Sequence, residues 1–366
     1  SRKAPRAAMW AVQLLGCMAL NAGSPLLEAQ RRHTSNARAA FTAAVSSPIL
    51  KDPLHDPMEL AALISAEEEH ARDPLPRHHV ERIQSGIEQI VAPAAKRIAL
   101  SKMMGSDIDS ERIAVAVSTT LFGAGSAPED ADGDMGFFRG AQADYYDPNN
   151  SYLDCVLERR QGIPISLSLI AADACRQLGC PMVGLNAPMH LLLAPADKSQ
   201  TWVLDCFNGG VVLQEDDAAA FIGSRLGRPA AASAAATADG SMADEELAAG
   251  RKHLEALRST PMTALQWGAR MLRNLRGIHT ERGDVVSLIG VCDRLRAIGS
   301  HSRLAVPDSE MRECTGQVAL CIFALRWTQR RNEARGMLKT LLRSSDDEDE
   351  SARIESLLAE AWFQEA

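Results

Sequence analysis

The fold of this chain is decided by residues 145–210, which read YYDPNNSYLDCVLERRQGIPISLSLIAADACRQLGCPMVGLNAPMHLLLAPADKSQTWVLDCFNGG. The stretch opens with a turn, Asp147-Pro148-Asn149-Asn150, and Ser151 then predicts the N-cap of a short helix. Gly162 predicts the end of that helix, because glycine adopts the left-handed backbone conformation at little cost. The clearest helix, the clearest strands and nearly all residue pairs suited to chemistry lie in this stretch.

A second helix is predicted to start at Ile163-Pro164-Ile165-Ser166, since proline is tolerated in a first helical turn. Apolar residues then recur at helical spacing, at Leu167, Ala171, Ala174, Cys175 and Leu178. Gly179 ends the helix and Pro181 prevents its continuation. A wide apolar face of this kind is typical of a buried central helix.

Three short strands are predicted after the central helix, at 182–186, 190–194 and 201–206. Asn208-Gly209 predicts a two-residue hairpin turn that leads into a further strand at 211–213. His190 and Asp205 therefore fall on consecutive predicted strands.

A central helix followed by antiparallel strands that carry His and Asp resembles the transglutaminase-like fold. The closer resemblance is to the SirB-type family, a transglutaminase-like domain followed by tetratricopeptide-type helices. The matching motifs are YYDPNNSYLDCVLERRQGIPISLSL, the Met189-His190 pair and LDCFNGG. The resemblance implies an α+β fold: a papain-like core with a small antiparallel sheet, then an all-α tetratricopeptide-like region. It also implies that His190 and Asp205 are the catalytic pair.

The sequence departs from a working transglutaminase at the nucleophile. The position at the start of the central helix falls on Pro164, Ile165 or Ser166, and none of these is Cys. The chemistry needs a thiol there, because a helix N-terminus and a neighbouring His lower the thiol pKa. The sequence thus predicts a retained His–Asp dyad without its nucleophile.

Several other side chains are candidates for the same cleft. Tyr146, Asn150 and Tyr152 in the turn region and Asn208 in the hairpin are expected to pack around it. For His190 a second interpretation is open: a buried imidazole that bonds Asp205 for structure alone.

Two cysteines are candidates for a displaced nucleophile. Cys206 is adjacent to Asp205, and Cys155 lies on the helix before the Gly-Ile-Pro turn. Their alternative interpretation is that of small buried apolar residues. Successive strand side chains point to opposite faces, so Cys206 is expected to face away from His190 if Asp205 faces it.

Composition limits the remaining function classes. The chain has 366 residues with 46% hydrophobic content, enough for two modest domains. A net charge of −8 argues against a general nucleic-acid-binding protein. The eight Cys residues contain no CxxC pair, which argues against a zinc ribbon or a dense disulfide framework. No cofactor and no metal site are predicted.

The N-terminal 50 residues have the composition of a targeting segment. Basic residues precede an apolar run, Met9 to Leu20, that is too short to span a bilayer. An Arg-, Ser- and Ala-rich stretch follows, which favours an organelle precursor, with a plastid as first choice. The alternatives are a disordered Ala-rich terminus and a cytoplasmic protein. Because residue 1 is Ser rather than Met, a fragment is expected.

The rest of the chain is predicted to form a transglutaminase-like domain at 51–228, a low-complexity linker at 229–250 and tetratricopeptide-like helices at 251–366. Two function classes follow. The first is a non-catalytic interaction or regulatory protein whose C-terminal helices bind a protein partner. The alternative is a thiol-dependent hydrolase or acyltransferase that uses a displaced Cys with His190 and Asp205.

Overall fold

The computed structural model describes residues 29, 32, 36–69, 76–105, 107–123, 137–226 and 240–364. They form two compact units. The core unit comprises the described residues of Pro48–Ser65 and Arg77–Trp267, and the helical unit those of Ser1–Ser47, Ala66–Pro76 and Gly268–Ala366. The architecture is α+β, with both sheets in the core unit and an all-helical C-terminal region.

The helices in chain order are α1 Asn36–Val45, α2 Met58–Glu69, α3 Pro76–Met103, α4 Ser110–Phe122, α5 Leu153–Arg159, α6 Pro164–Gln177, α7 Glu215–Gly223, α8 Gly240–Ser259, α9 Ala264–Arg282, α10 Val285–His301, α11 Asp308–Ala324, α12 Arg331–Arg343, α13 Glu348–Ala359 and α14 Ala361–Gln364. Short 3-10 turns occupy Pro48–Lys51, Pro148–Asn150 and Thr328–Arg330. The strands are β1 Arg139–Gly140, β2 Gln161–Gly162, β3 Met182–Leu185, β4 Leu192–Pro195, β5 Val203–Asp205 and β6 Val211–Leu213.

The larger sheet is antiparallel with the strand order β3-β4-β5-β6. Its register pairs Leu193 with Leu204, and Asp205 with Val211. All residues of β4 and β5 are buried, so the two middle strands belong to the core. β1 and β2 form a separate parallel pair.

The central helix, α6, follows its sequence pattern. Pro164 is its first residue, and Gly179 follows its C-cap with φ of 86°. Every residue from Pro164 to Cys175 is buried. The prediction of a buried central helix is therefore confirmed.

The strands are shorter than predicted, which changes the setting of His190. Met189 has φ of 56°, and the chain turns there, so that His190 precedes β4 instead of lying on it. Cys206 likewise lies in a turn after β5. The predicted two-residue hairpin is wrong: five residues connect β5 to β6, with Gly209 and Gly210 both at positive φ.

The short helix before the central helix also differs at both ends. Tyr152, not Ser151, is the N-cap of α5, and Arg160 ends the helix in the left-handed conformation with φ of 52°. Gly162 has another role, since a Cβ at this position would lie 2.7 Å from Ser166 Oγ. The glycine thus permits the close approach of β2 to the start of α6.

The predicted linker at 229–250 is wrong in its second half, while 229–239 lies outside the described residues. α8 packs along α7, and added Cβ atoms at Gly223 or Gly250 would collide with backbone carbonyls of the facing helix. The two glycines therefore allow the helix backbones to approach closely. The division between the units falls at Trp267, beyond the predicted linker.

The predicted targeting segment, 1–50, lies mostly outside the described residues. Its last part is structured instead: α1 buries Phe41 and Val45, which share one helix face with Ala37. Ile49 is exposed in the 3-10 turn that follows.

In the C-terminal region, the apolar spacing of α10 correctly predicts which of its residues are buried. The predicted interior residues of α10 are all buried, namely Leu288, Ile289, Cys292 and Leu295. Gly283 makes the turn between α9 and α10 at φ of 66°. Among the described residues, no helix combines the length and the apolar character needed to cross a bilayer.

Candidate functional site

The candidate site is built around the start of α6, where the resemblance described above predicts the nucleophile. Pro164 and Ile165 are apolar and buried, and Ser166 is the only hydroxyl among these three residues. Ser166 Oγ accepts a hydrogen bond from the Ile163 N–H at 3.1 Å and donates to the Asn150 carbonyl at 2.6 Å. Its side chain is fully buried. The hydroxyl therefore caps the helix and holds the 3-10 turn of Pro148–Asn150 against it.

His190 lies in the turn before β4 and is 5% exposed. Its backbone N–H donates to the Ala187 carbonyl at 3.1 Å. Its Nε2 lies 2.8 Å from Asp205 Oδ1, at the end of β5. The two sequence-predicted residues are thus brought together.

Asp205 also holds its own turn. Its Oδ1 accepts the backbone N–H groups of Phe207 at 3.1 Å and Asn208 at 3.2 Å. Its Oδ2 accepts Asn208 Nδ2 at 2.6 Å. One carboxylate therefore joins the imidazole to the turn after β5, which is how the sequence-predicted Asn208 enters the site.

The charge state of the pair follows from these bonds. Burial on its own raises the pKa of Asp205, but the hydrogen bonds from His190 and Asn208 outweigh it, and the pKa is lowered. Asp205 is then an ionised acceptor, so the proton in the 2.8 Å bond belongs to His190 Nε2. The same tautomer is expected whether His190 acts as a base or forms a purely structural hydrogen bond with Asp205.

Aromatic rings surround the imidazole. Phe207 and Phe221 meet His190 edge to face at centroid distances of 6.0 and 5.1 Å. Tyr145 contacts Phe207 at 6.4 Å and Tyr146 at 5.3 Å, and Tyr146 is 65% exposed. The predicted cleft residue Tyr146 is thus linked to the pair through the rings of Tyr145 and Phe207.

The other two cleft residues from the turn region are buried. Asn150 donates its side-chain amide to the Asp144 carbonyl at 2.7 Å. Tyr152 is buried at the N-cap of α5. The Asn150 carbonyl accepts from Ser166, which places Asn150 beside the start of α6.

Phe221 and Arg225 were not predicted from the sequence. Arg225 stacks on Phe221, with its Cζ 3.5 Å from the ring centroid, and donates from Nη1 to the Phe221 carbonyl at 3.0 Å. Burial lowers the pKa of Arg225, and the attraction of Asp205 opposes that shift. No motif in the sequence links this helix to the His–Asp pair. Phe207, by contrast, lies inside the motif LDCFNGG, which also contains Asp205, so the sequence does link Phe207 to the pair.

Burial disfavours the ionised form of several thiols in the core unit. Burial, and then the Asp205 charge, raise the pKa of Cys206 far above its ordinary value, while an interaction with Ser168 of α6 opposes them. Burial also raises the pKa of Cys175 strongly and that of Cys180 to about 11. Cys155 is half-buried on α5.

A metal site needs several ligand side chains that converge on one point. Across the described ranges, no three His, Cys, Asp or Glu side chains come together as a metal-binding group.

Comparison with known proteins gives a family match for the part of the chain that holds this site. Residues 81–248 match the model of the transglutaminase-like superfamily. No solved structure gives a significant match.

Relatives are found in bacteria and in animals. A UPF0162 protein of Xylella fastidiosa is 42% identical over 80 residues, which are 22% of this chain and 28% of that protein. A UPF0162 protein of Pseudomonas aeruginosa is 28% identical over 216 residues, 58% of this chain and 65% of that protein.

F-box only protein 21 of Homo sapiens is 44% identical over 71 residues, 19% of this chain and 11% of that protein. The matches thus span less than two thirds of each of these three relatives. The part of the chain that is similar to the transglutaminase-like superfamily, residues 81–248, contains both His190 and Asp205.

Proposed function

We propose that this protein is a non-catalytic member of the transglutaminase-like group that acts as an interaction or regulatory protein. The observation that carries the proposal is the state of Ser166. Its hydroxyl donates to the Asn150 carbonyl and accepts from the Ile163 N–H, so both functions of the oxygen are engaged at the nucleophile position. An activated nucleophile instead needs a base in contact with its hydroxyl or thiol.

The position of Cys206 also supports a non-catalytic role. Burial together with the Asp205 charge raises the pKa of the Cys206 thiol and favours its protonated form. A thiol reacts as the thiolate. Cys206 is therefore a packed side chain of the core in this proposal.

The His190–Asp205 pair then has a structural function. It joins the turn before β4 to the turn after β5, and the Asp205 carboxylate accepts from His190, Phe207 and Asn208. Buried polar groups that are satisfied in this way stabilise a unique arrangement of the chain.

Thiol labelling tests the proposal. Wild-type protein and the His190→Ala variant are treated with iodoacetamide at near-neutral pH, and labelling of each Cys is followed by peptide mass spectrometry. We expect slow labelling of Cys155 and Cys206 in both proteins. His301→Ala, which removes an exposed imidazole from α10, is the matched control.

Fast labelling of Cys155 or Cys206 that is lost in His190→Ala and kept in His301→Ala would contradict the proposal. That result would favour the alternative, a thiol-dependent hydrolase or acyltransferase with His190 as base and Asp205 as its partner.

The helical unit supplies the interaction surface in this proposal. Its tetratricopeptide-like character and a protein partner bound through the C-terminal helices stay predictions, as does the localisation in a plastid. Pull-down with the full chain and with a variant altered on α11 or α12 tests the partner.

A further inference from the structure

A cavity of about 510 Å³ opens in the core unit between α8 and the larger sheet. Val183 of β3, Ala194 of β4 and Leu254 of α8 form part of its lining, and we call it the α8 pocket. Small-molecule sites occupy about 300–1,000 Å³ and combine an apolar lining with a few polar groups. Neither His190 nor Asp205 lines this cavity, so it is distinct from the candidate site described above.

One part of the α8 pocket is apolar. Val183, Ala194 and Leu254 belong to one buried hydrophobic cluster, and Ala196 packs against that cluster. Leu54 also lines the pocket, and it is 67% exposed. An apolar chain that entered the pocket would cover Leu54 and remove its surface from water, which is favourable.

The polar part of the lining is mainly cationic. It contains two carboxylates, Glu215 and Glu255, and four cations, Lys198, Arg251, Lys252 and Arg258. Arg251 pairs with Asp216 at 2.8 Å. Lys198 and Lys252 are exposed, and neither forms a side-chain ion pair with a residue that the structure describes. Their ammonium groups can therefore bind an incoming anion without breaking a contact of the chain.

Arg258 is the half-buried cation of this set. It donates from Nη1 to the Gln200 carbonyl at 2.8 Å and from Nη2 to the Trp202 carbonyl at 3.0 Å, and Nη2 also donates to the Thr201 carbonyl. Burial lowers the pKa of Arg258, and the attraction of Glu215 opposes that shift. In the described part of the chain its hydrogen bonds thus go to neutral carbonyls rather than to a carboxylate. A guanidinium in this state favours an anion beside it.

We propose that the α8 pocket binds a small amphipathic anion, an apolar chain that ends in a carboxylate. The chain would lie against Leu54 and Leu254, and the carboxylate would pair with Lys252 and Arg258. A singly charged head group fits better than a phosphate, because the carboxylates of the lining would repel a second negative charge. The inference goes beyond the proposed function, since it assigns a ligand to a separate pocket.

Calorimetric titration of the full chain with three probes tests the inference. Octanoate carries both the chain and the carboxylate, octylamine carries the same chain with a positive charge, and acetate carries the carboxylate alone. Each is titrated at the same ionic strength, below the concentration at which it forms micelles. We expect saturable binding of one octanoate per chain and about tenfold weaker binding of the other two probes, because each lacks one of the two interactions.

Two variants test the position of the site. Lys252→Glu should weaken octanoate binding about tenfold, because a repulsive charge replaces an attractive one. Lys252 is exposed, so this variant should fold. Leu54→Ser should weaken octanoate binding about fivefold and leave acetate binding unchanged, because only the apolar contact is lost. Lys96→Glu is the matched control, since Lys96 is exposed on α3 of the same unit and lies outside the pocket lining. It should bind like wild type.

The inference is overturned if wild type binds octanoate no more tightly than about 10 mM, or if octylamine or acetate binds as tightly as octanoate. Equal binding by Lys252→Glu and Lys96→Glu would also overturn it, because the ligand would then lie elsewhere. None of these results affects the thiol-labelling test of the proposed function.

Discussion

Asp205 in the core unit and Asp293 in the helical unit are both largely buried carboxylates, but they draw their donors from different distances along the chain. Asp205 is bonded by Phe207, Asn208 and His190, at most 15 positions away. Asp293 is bonded by Arg38, 255 positions away, by Arg330, 37 away, and by Arg296 on the same helix.

The difference separates two ways of holding a buried charge. Two of the donors to Asp205, Phe207 and Asn208, lie in one turn that is visible as the motif LDCFNGG, and His190 comes from the turn before β4. A set gathered from several helices exists only once they have packed. We expect a single substitution in the local set to disrupt all of its hydrogen bonds together. The set gathered from several helices should keep part of its hydrogen bonds after a single substitution.

Removing the carboxylate at Asp205 should have the largest effect. Asp205→Ala leaves His190 and the donors of the turn without their acceptor, at a cost of about 3–5 kcal/mol. The two units need not unfold together, so amide hydrogen exchange in β4 and β5 is the suitable measure. A loss below about 1 kcal/mol would show that the pair is not the anchor of this turn.

The corresponding change in the helical unit should cost less. Arg330→Met removes the partner of Glu333, but Asp293 keeps Arg38 and Arg296, so we expect about 2–3 kcal/mol. Hydrogen exchange in α10 and α12 measures the effect, and Arg303→Met is the exposed control. A cost equal to that of Asp205→Ala would remove the contrast between local and dispersed donors.

Protonation should weaken the Asp205 turn less than deletion, because a carboxylic acid keeps part of its hydrogen bonding. The folded pKa of Asp205 is lower than its unfolded value, mainly because the bonds from His190 and Asn208 outweigh burial. The stability it contributes is therefore complete above the unfolded pKa of about 3.9 and disappears as the pH falls through the folded pKa. Asp205→Asn should flatten the acid side of the profile of unfolding free energy against pH; an unchanged slope would contradict the assignment.

The smallest effect concerns backbone strain beside His190. Met189 has φ of 56° and is 77% exposed, so Met189→Gly relieves an unfavourable conformation and loses little contact. We expect a gain of roughly 0.5–1 kcal/mol, read from the urea midpoint.

Arg326 in the helical unit is the position to compare with Met189, because it also has a positive φ, of 50°. Its guanidinium lies 4.3 Å from the Phe323 ring centroid, so Arg326→Gly also removes a cation–π contact. We expect no net gain there. Equal gains at both positions would mean that the contact contributes nothing.

Much of the core unit was predictable because its signals are local. Proline at the start of α6, the apolar spacing up to Cys175 and Gly179 after its end predicted the central helix correctly. The strand ends were not predictable in the same way. Met189 carries no sequence signal for a left-handed backbone, and the predicted strand therefore begins at His190, whereas β4 begins at Leu192.

The predicted linker at 229–250 was wrong in its second half because the prediction depended on composition alone. Small residues between 229 and 250 predicted a low-complexity linker, yet Gly250 lets the backbone of α8 approach α7 closely. Glycine weakens an isolated helix, but it also permits close packing of two helices. The sequence of one segment does not distinguish these uses.

By itself the sequence determined the local parts of this protein: the buried central helix, the absence of Cys at its start, and a His and an Asp only 15 positions apart along the chain. These depend on spacing and on backbone preference, which act over a few residues. Tertiary structure alone decided that Ser166 is engaged by Asn150, that Phe221 covers His190, and that three arginines share Asp293. Such contacts join residues that are distant along the chain, and only the packing of helices and strands brings them together.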